Sequence, residues 1–290
     1  MNFLADNYII ASNEVYYLGG KIIRIFIKKE KKHESVGEML RFWRQLNRTS
    51  QMDLALDIDI SPKHLSFVET GKSNPSRDLV LKMAHSLKLP FRHRNAFLMA
   101  AGYAPEFEEP PFDGQKMEIV RGALRLMLEK HEPYPAFVVN TGYKILMKNS
   151  GYEKIVNFYC GEDTLKKYDN AIRILFSEDG LRNYVKGWPA VEQFLLARLW
   201  EEVVSTQNDD LIALYKEISQ LRTSNDPINF QSDNNLPIMS LILEKNCKKA
   251  SFFTMITTLG TPLDLTTQEL RIEFLYPSDE ETKQLIHLEI

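Results

Sequence analysis

The stretch SQMDLALDIDISPKHLSFVETGKSNPS, Ser50 to Ser76, sets two short amphipathic segments end to end with almost nothing between them. Helices under about 12–15 residues are marginal in water on their own. Each segment must therefore bury its apolar face against the other and against flanking helices. Over the twenty residues from Gln51 to Thr70, two such crossing helices would bury the fourth, fifth, eighth, tenth, fifteenth and eighteenth positions. Those positions hold Leu54, Ala55, Ile58, Ile60, Leu65 and Val68, all apolar. The fifth must be small where the helices cross most closely, and it is alanine. Ser61 is a good N-cap, and Pro62 suits the first position of the helix that follows.

This packing leaves one face of the second helix uncovered, as in a helix-turn-helix unit whose second helix enters the DNA major groove. The wider stretch GEMLRFWRQLNRTSQMDLALDIDISPKHLSFVETGKSNPS resembles the Cro/C1-type (Xre family) DNA-binding domain. The resemblance runs through LRxxR, SQxxLA, SPxHLSxxExGKSxPS and the trailing AAGYAP, and covers about Val36 to Ala101. One position departs from it. The ninth of the twenty is usually glycine, because the turn visits positive φ, and here it is Asp59. Aspartate tolerates that conformation better than most residues, so the expectation is a small cost and an intact fold.

The resemblance implies a set of DNA-binding residues. Gln51 would start the first helix of the unit and touch a phosphate. Pro62, Lys63, Ser66 and Phe67 would face outward at the front of the recognition helix. Lys63 is the candidate for a base edge, guanine above all, and His64 beside it for a phosphate. Phe67 would pack on a thymine methyl. Lys72 and Asn74 are placed for backbone contacts, which fix register and carry little sequence information. Arg41 and Arg44 on the preceding helix are further candidates. Glu69 reads as an internal partner, since a carboxylate faces phosphate badly.

Charge divides the chain. From Lys31 to Ala101 there are 12 Lys and Arg against 7 Asp and Glu, a balance of +5, and from Gly102 to Ile290 there are 20 against 29, a balance of −9. A basic module for a polyanion and an acidic module with another task are the implication. No apolar run approaches the ~18–20 residues that cross a bilayer. The start, MNFLADNYII, has neither the basic region nor the apolar stretch of a secretion signal. Cys160 and Cys247 form no disulfide framework and read as buried thiols in a reducing compartment. The expected location is the cytoplasm, with no membrane partner.

Four parts are expected: an N-terminal extension of unknown role over 1–32, a helix-turn-helix domain over 33–105, a linker over 106–115, and a second domain over 116–290. In the first, EVYYLGGKIIRIFIKK alternates around Gly19-Gly20 as a hairpin would. Gly102 is placed as a helix C-cap. The prolines and glutamates of AAGYAPEFEEPPFDG suggest a hinge at the linker. The second domain opens with a helix in QKMEIVRGALRLMLEKHE and a hairpin about Thr141-Gly142. VEQFLLARLWEEVVS and DDLIALYKEISQLR are amphipathic helices, and ASFFTMITTLG and LRIEFLYP are strand-like. The fold class is thus two domains: an all-α five-helix bundle, then an α+β domain with a mostly antiparallel sheet.

PAFVVNTGYKILMKNSGY, RILFSEDGLRNYVKGWPAVEQFLLARLWEE and TTLGTPLDLTTQELRIEFLYPSDEET resemble the MmyB-like ligand-binding domain found after Xre-type modules, over about 110 to 290. That resemblance implies a PAS-like fold with an apolar cavity for a fatty-acid-like molecule. Aromatic residues crowd the central segment, and Phe176, Tyr184, Trp188 and Phe194 are the candidate lining, with Trp200 nearby. Arg173 and Arg182 flank Phe176, and either guanidinium could clamp a carboxylate. Core packing is the alternative role for each aromatic, and a surface ion pair for each arginine.

Enzyme signatures are missing. There is no GxSxG, no HExxH, no phosphate-binding glycine loop and no paired-cysteine zinc spacing. The six histidines are scattered, and His131 in EKHEPYP reads as a helix-end residue. The sequence therefore points to a non-enzymatic transcriptional regulator, binding a double-stranded DNA operator as a homodimer and responding to a small apolar ligand. It calls for no cofactor beyond a bound fatty acid or similar molecule. The alternative is a DNA-binding adaptor whose acidic domain only dimerises or recruits a protein.

Overall fold

The computed structural model describes residues 8–9, 16–18, 21–23, 27–28, 35–223 and 240–288. In the first of these, strands β1 (Tyr8–Ile9) and β4 (Ile27–Lys28) pair antiparallel, as do β2 (Tyr16–Leu18) and β3 (Lys21–Ile23), with Leu18 opposite Lys21. The second pair is the hairpin that the alternation around Gly19-Gly20 suggests. The remaining described residues form two compact units, one built on 35–110 together with 262–268, the other on 111–223, 240–261 and 269–288.

The first unit carries five helices between 36 and 100, α1 (Val36–Leu46), α2 (Gln51–Asp57), α3 (Pro62–Glu69), α4 (Arg77–Ser86) and α5 (Phe91–Ala100). Four start on a serine, Ser35, Ser50, Ser61 and Ser76, whose hydroxyl accepts a backbone N–H from the first turn. Ser35 and Glu38 complete a capping box. Leu54, Ala55, Ile58, Leu65 and Val68 are buried and Ile60 is half-buried against the same core. Burying each of the larger of these stabilises the unit by about 1.5–3 kcal/mol. The axes of α1 and α3 come so close that a Cβ on Gly37 would lie 2.5 Å from the Val68 carbonyl oxygen and 2.7 Å from that of Glu69.

Helix α5 follows Pro90, which offers no capping side chain. Its first N–H, on Phe91, is instead accepted by the side-chain oxygen of Gln268 at 2.8 Å. The Leu265 N–H donates to the Glu108 carbonyl, and the Thr266 hydroxyl donates to that of Pro110. Gly102, at φ +86, follows the last turn as a C-cap glycine should. The stretch after it, expected as a hinge, is laced to α5 within this unit. Asn95 accepts the N–H groups of Glu106 and Phe107 and donates to the Phe107 carbonyl, and the rings of Phe91 and Phe107 stack 3.9 Å apart.

The second unit is built around a five-stranded, wholly antiparallel sheet in the order β6-β5-β9-β8-β7. The strands are β5 (Ala136–Val139), β6 (Ile145–Lys148), β7 (Ser240–Lys245), β8 (Lys248–Thr257) and β9 (Arg271–Pro277). Alternate residues of β5 and β9 face opposite ways. Ala136, Val138, Ile272 and Phe274 pack with Leu124 and Leu128 of α6 (Glu118–Lys130). Phe137, Glu273 and Leu275 face the other side. Helical segments α7 (Ser150–Cys160), α8 (Thr164–Lys167), α9 (Ala171–Phe176), α10 (Trp188–Thr206) and α11 (Asp209–Gln220) follow β6 in the chain. Burial on both faces explains why AFVV and IEFLY read as near-continuous apolar runs. A short helix, α12 (Leu265–Glu269), lies between β8 and β9, and α13 (Glu280–Leu288) closes the described chain.

His131 caps the C-terminal end of α6, with its Nε2 3.1 Å from the Leu275 carbonyl oxygen. The reading of both cysteines as buried is corrected. Cys160 is half-buried, and Cys247 is exposed in the tight β7–β8 turn, where it adopts φ 63 next to Asn246 at φ 52. Such turns demand two successive left-handed residues, and the demand overrides the preference of a thiol for the interior.

Asp59 has φ 57, the left-handed conformation anticipated for the turn between α2 and α3. Replacing it by glycine removes the Cβ penalty, so Asp59→Gly should raise stability by up to about 1 kcal/mol. Denaturant unfolding of the two proteins measures this, and an unchanged or lower midpoint would count against a strained turn.

Candidate functional site

Among the described residues, two places gather polar chemistry beyond what packing needs. The first is the outer face of α3. Ser61 accepts the His64 N–H at 3.1 Å and Pro62 holds the first turn, so the helix begins sharply. Leu65 and Val68 then face the core. Pro62, Lys63 and Phe67 are exposed, and His64 and Ser66 half-buried. The ammonium groups of Lys63 and Lys72 lie 5.7 and 5.9 Å from the centroid of the Phe67 ring. An apolar ring flanked by two cations can meet a thymine methyl while the cations meet base edges or phosphates. Asn74, also exposed, lies in the turn before α4.

Behind that face Glu69 is buried, and its carboxylate accepts Nε of Arg44 at 2.6 Å, a second Arg44 nitrogen at 3.2 Å, and the side-chain amide of Gln51 at 2.6 Å. Arg41 donates to the Glu69 carbonyl at 3.2 Å. Arg44 also donates to the Thr49 carbonyl at 3.0 Å, just before α2. Glu69 is thus the internal partner that its charge suggested. Gln51 and Arg44 have their nitrogens turned inward onto it and do not join the outward set on α3.

The second place is an apolar cavity of about 380 Å³ inside the sheet-and-helix unit, within the ~300–1,000 Å³ of small-molecule sites. Its apolar wall includes Leu195 and Leu199 from α10, Ile172 and Leu175 from α9, and Leu241, Ile256 and Leu275 from the sheet. Its polar lining is Tyr143, Tyr152, Arg198, Thr254 and Glu273. Tyr143, Arg198 and Glu273 belong to a charged cluster. The Tyr143 hydroxyl donates to Glu202 at 2.8 Å, Arg198 Nε donates to the same carboxylate at 3.2 Å, and Arg271 donates to it at 2.6 Å. Arg198 approaches Oε1 of Glu273 to 3.8 Å, and that oxygen is buried without a hydrogen-bond partner. Burial pushes the Glu273 carboxyl above its ordinary range, opposed by the guanidinium groups of Arg198 and Arg271. Burial likewise raises the Tyr143 phenol.

Of the six residues singled out from sequence for a ligand, Phe194 borders this cavity. The other five are elsewhere in the same unit. Phe176 is wholly buried, with its ring 4.9 Å from that of Trp188, and the Trp188 indole donates to Glu192 at 3.2 Å. Tyr184 packs on Tyr159 and lies under the Lys245 ammonium. Arg173 forms a bidentate pair with Glu217 at 2.9 and 2.7 Å, and Arg182 pairs with Glu178 and donates to the Leu221 carbonyl. The polar groups at the cavity were missed. Their signal was nevertheless present, because Arg198 in FLLARLW and Glu273 in IEFLY are charges set inside otherwise apolar runs. Among the described residues no cluster of His, Cys, Asp and Glu could hold a metal ion, and no helix is long and apolar enough to cross a membrane.

A five-helix unit with an outward helix-turn-helix face, followed by an α+β domain with a five-strand antiparallel sheet, is the architecture of a DNA-binding transcription regulator with a ligand-binding domain. The family model of the MmyB-like transcription regulator ligand binding domain matches residues 120–288, and a helix-turn-helix model matches residues 40–93. The chain belongs to the MmyB-like transcription regulator family. No curated protein matches it. A solved structure described as that of an RNA-binding light-oxygen-voltage receptor is 10% identical over 88% of this chain. This chain spans 63% of that receptor's length, and at a TM-score of 0.26 the likeness is too slight to define a shared fold.

Removing one partner of a buried charge pair costs about 3–5 kcal/mol. Glu69→Ala should therefore destabilise the helical unit by about that amount, and Arg44→Ala similarly, whereas Lys63→Ala on the outer face should change stability by less than about 0.5 kcal/mol. Chemical denaturation of the three variants tests the division between support and contact surface.

Proposed function

We propose that this regulator binds a two-fold symmetric operator as a homodimer in the bacterial cytoplasm, and that its C-terminal domain is a PAS-like sensor of a small apolar, fatty-acid-like ligand. The observation that carries the reading is the cavity. The pocket, about 380 Å³ and partly open to solvent, has the size of small-molecule sites and leaves a sheet face that packing alone would cover. A domain that only dimerised or recruited a protein would have no need of it. Residues from α9, α10 and the sheet surround the hollow with apolar carbon, the lining that a hydrocarbon chain requires.

On the DNA side, Lys63 contacts a base edge and Phe67 a thymine methyl, with His64, Lys72 and Asn74 on phosphates. The exposure of Lys63, Phe67, Lys72 and Asn74 on or just after α3, with His64 half-buried beside them, supports that assignment. A single unit of this size makes too few contacts for tight specific binding, which favours a dimer on paired half-sites about one helical turn apart.

The test is a selection of bound sequences from random duplex DNA at physiological salt, with wild type and Lys63→Ala in parallel. Wild type should enrich an inverted repeat, and the variant should relax one base position per half-site at a cost of about 1–3 kcal/mol. Enrichment of nothing by wild type would overturn the operator reading. For the second domain, mass spectrometry of protein purified from bacteria under native and then denaturing conditions should release a single-chain lipid. Protein that carries none, and takes up none when offered, would return the cavity to the status of a packing defect.

A further inference from the structure

Helix α6 is apolar on two sides. Leu124 and Leu128 hold one side to the sheet. On the other, Ile119, Gly122, Ala123 and Leu126 form a second stripe at the spacing i, i+3, i+4, i+7. All four are exposed, Ile119 by 87% and Leu126 by 54%. Among the described residues no apolar element covers this stripe. Gly122 points the same way independently. Glycine inside a helix weakens it relative to alanine, and a Cβ placed on Gly122 would meet nothing within 4 Å. Gly37 and Gly151 differ, because a Cβ on either would run into backbone, of Val68 and Pro133 respectively. The room that Gly122 leaves is unused by this chain, and it fits a helix approaching from outside.

The stripe is its own complement. About the midpoint between Gly122 and Ala123, Ile119 mirrors Leu126 and the two small residues mirror each other. Two antiparallel copies related by a two-fold axis through that midpoint set Ile119 of each against the partner's Leu126, with the small residues at the crossing. Charge fits the same register. Glu118 and Arg125 lie two turns apart on one flank of the stripe and are exposed. Among the described residues, neither forms an ion pair or a side-chain hydrogen bond. A two-fold axis perpendicular to the helices keeps that flank of both copies on one side. There Glu118 and the partner's Arg125 differ by only about 3 Å along the helix axis. Glu129 and Lys130 close the stripe with one charge of each sign. Resting on the reading of the regulator as a homodimer, we propose that α6 is its self-association surface. It pairs antiparallel with α6 of a second copy through this stripe and through two reciprocal Glu118–Arg125 ion pairs. One helix face is smaller than the ~800 Å² per partner of a stable interface, so the pair is weak in solution and paired half-sites on DNA complete it.

Sedimentation equilibrium of the full chain, at concentrations up to about 1 mM, reads the association. Wild type should show a monomer–dimer equilibrium with a dissociation constant in the micromolar range. Gly122→Leu introduces a better helix former, so the denaturation midpoint should hold or rise, yet it fills the crossing and should weaken association about tenfold or more. Glu118→Arg and Arg125→Glu should each weaken self-association, because each sets like charges opposite one another. Mixed in equal amounts, these two variants should form a heterodimer at near wild-type affinity, since each restores opposite charges to the other. A merely structural role for either residue would produce no such rescue. A dimer that survives Gly122→Leu, or charge variants that do not rescue each other, overturns the antiparallel α6 pairing and leaves the homodimer reading to another surface. Wild type that stays monomeric also overturns it and leaves the face to a different occupant. The inverted repeat in the DNA selection then decides the homodimer reading alone.

Discussion

A carboxylate buried at the C-terminal end of a helix meets two penalties, loss of water and the negative end of the helix dipole. Glu69 stands at that place in α3 and escapes both through Arg44 of α1 and Gln51 of α2. One side chain thereby ties the three helices that define the DNA-facing surface. The same Arg44 reaches the Thr49 carbonyl, so the turn into α2 is fixed by the group that fixes the end of α3. The close approach permitted by Gly37 is the steric half of this arrangement, because the guanidinium of Arg41 reaches the Glu69 carbonyl across that contact. The outward residues of α3 are consequently held from behind and contribute nothing to their own support.

The second unit shows the opposite economy. Its sheet has α6 packed on one face and a hollow on the other, bordered by residues of β5, β9, β8 and β7. Period-two alternation sends Ile272 and Phe274 to the packed face and Glu273 and Leu275 to the hollow. A charge at one of these alternate positions therefore sits in the hollow itself, and the neighbouring residues cannot shield it without a shift of register.

Much of the helical unit was legible because its code is local. Serine caps, a proline at the first helical position and apolar spacing within twenty residues report directly on α2 and α3, and even the left-handed Asp59 could be read from its place in the turn. The α+β class of the second unit was legible in the same way, from periodicity. The cavity wall was not. Aromatic residues drew attention to Phe176 and Trp188, yet large flat side chains fill volume well and these two close a core, whereas smaller aliphatic residues of α9, α10 and the sheet surround the space. Nor could spacing show that Arg198, Glu202, Arg271 and Tyr143 converge, since they lie on three separate elements and meet only once the sheet and α10 are assembled.

One detail of the chain's path has a topological consequence. The helical unit is discontinuous in sequence, with Leu265, Thr266 and Gln268 arriving from more than 150 residues after Pro110. A proteolytic fragment ending at the linker would therefore lose the Gln268 oxygen that accepts the first N–H of α5 and the Leu265 N–H that donates to the Glu108 carbonyl. Cleavage of the linker alone would leave both in place. A gene fusion that borrowed only the first 110 residues would therefore borrow an incomplete helical unit.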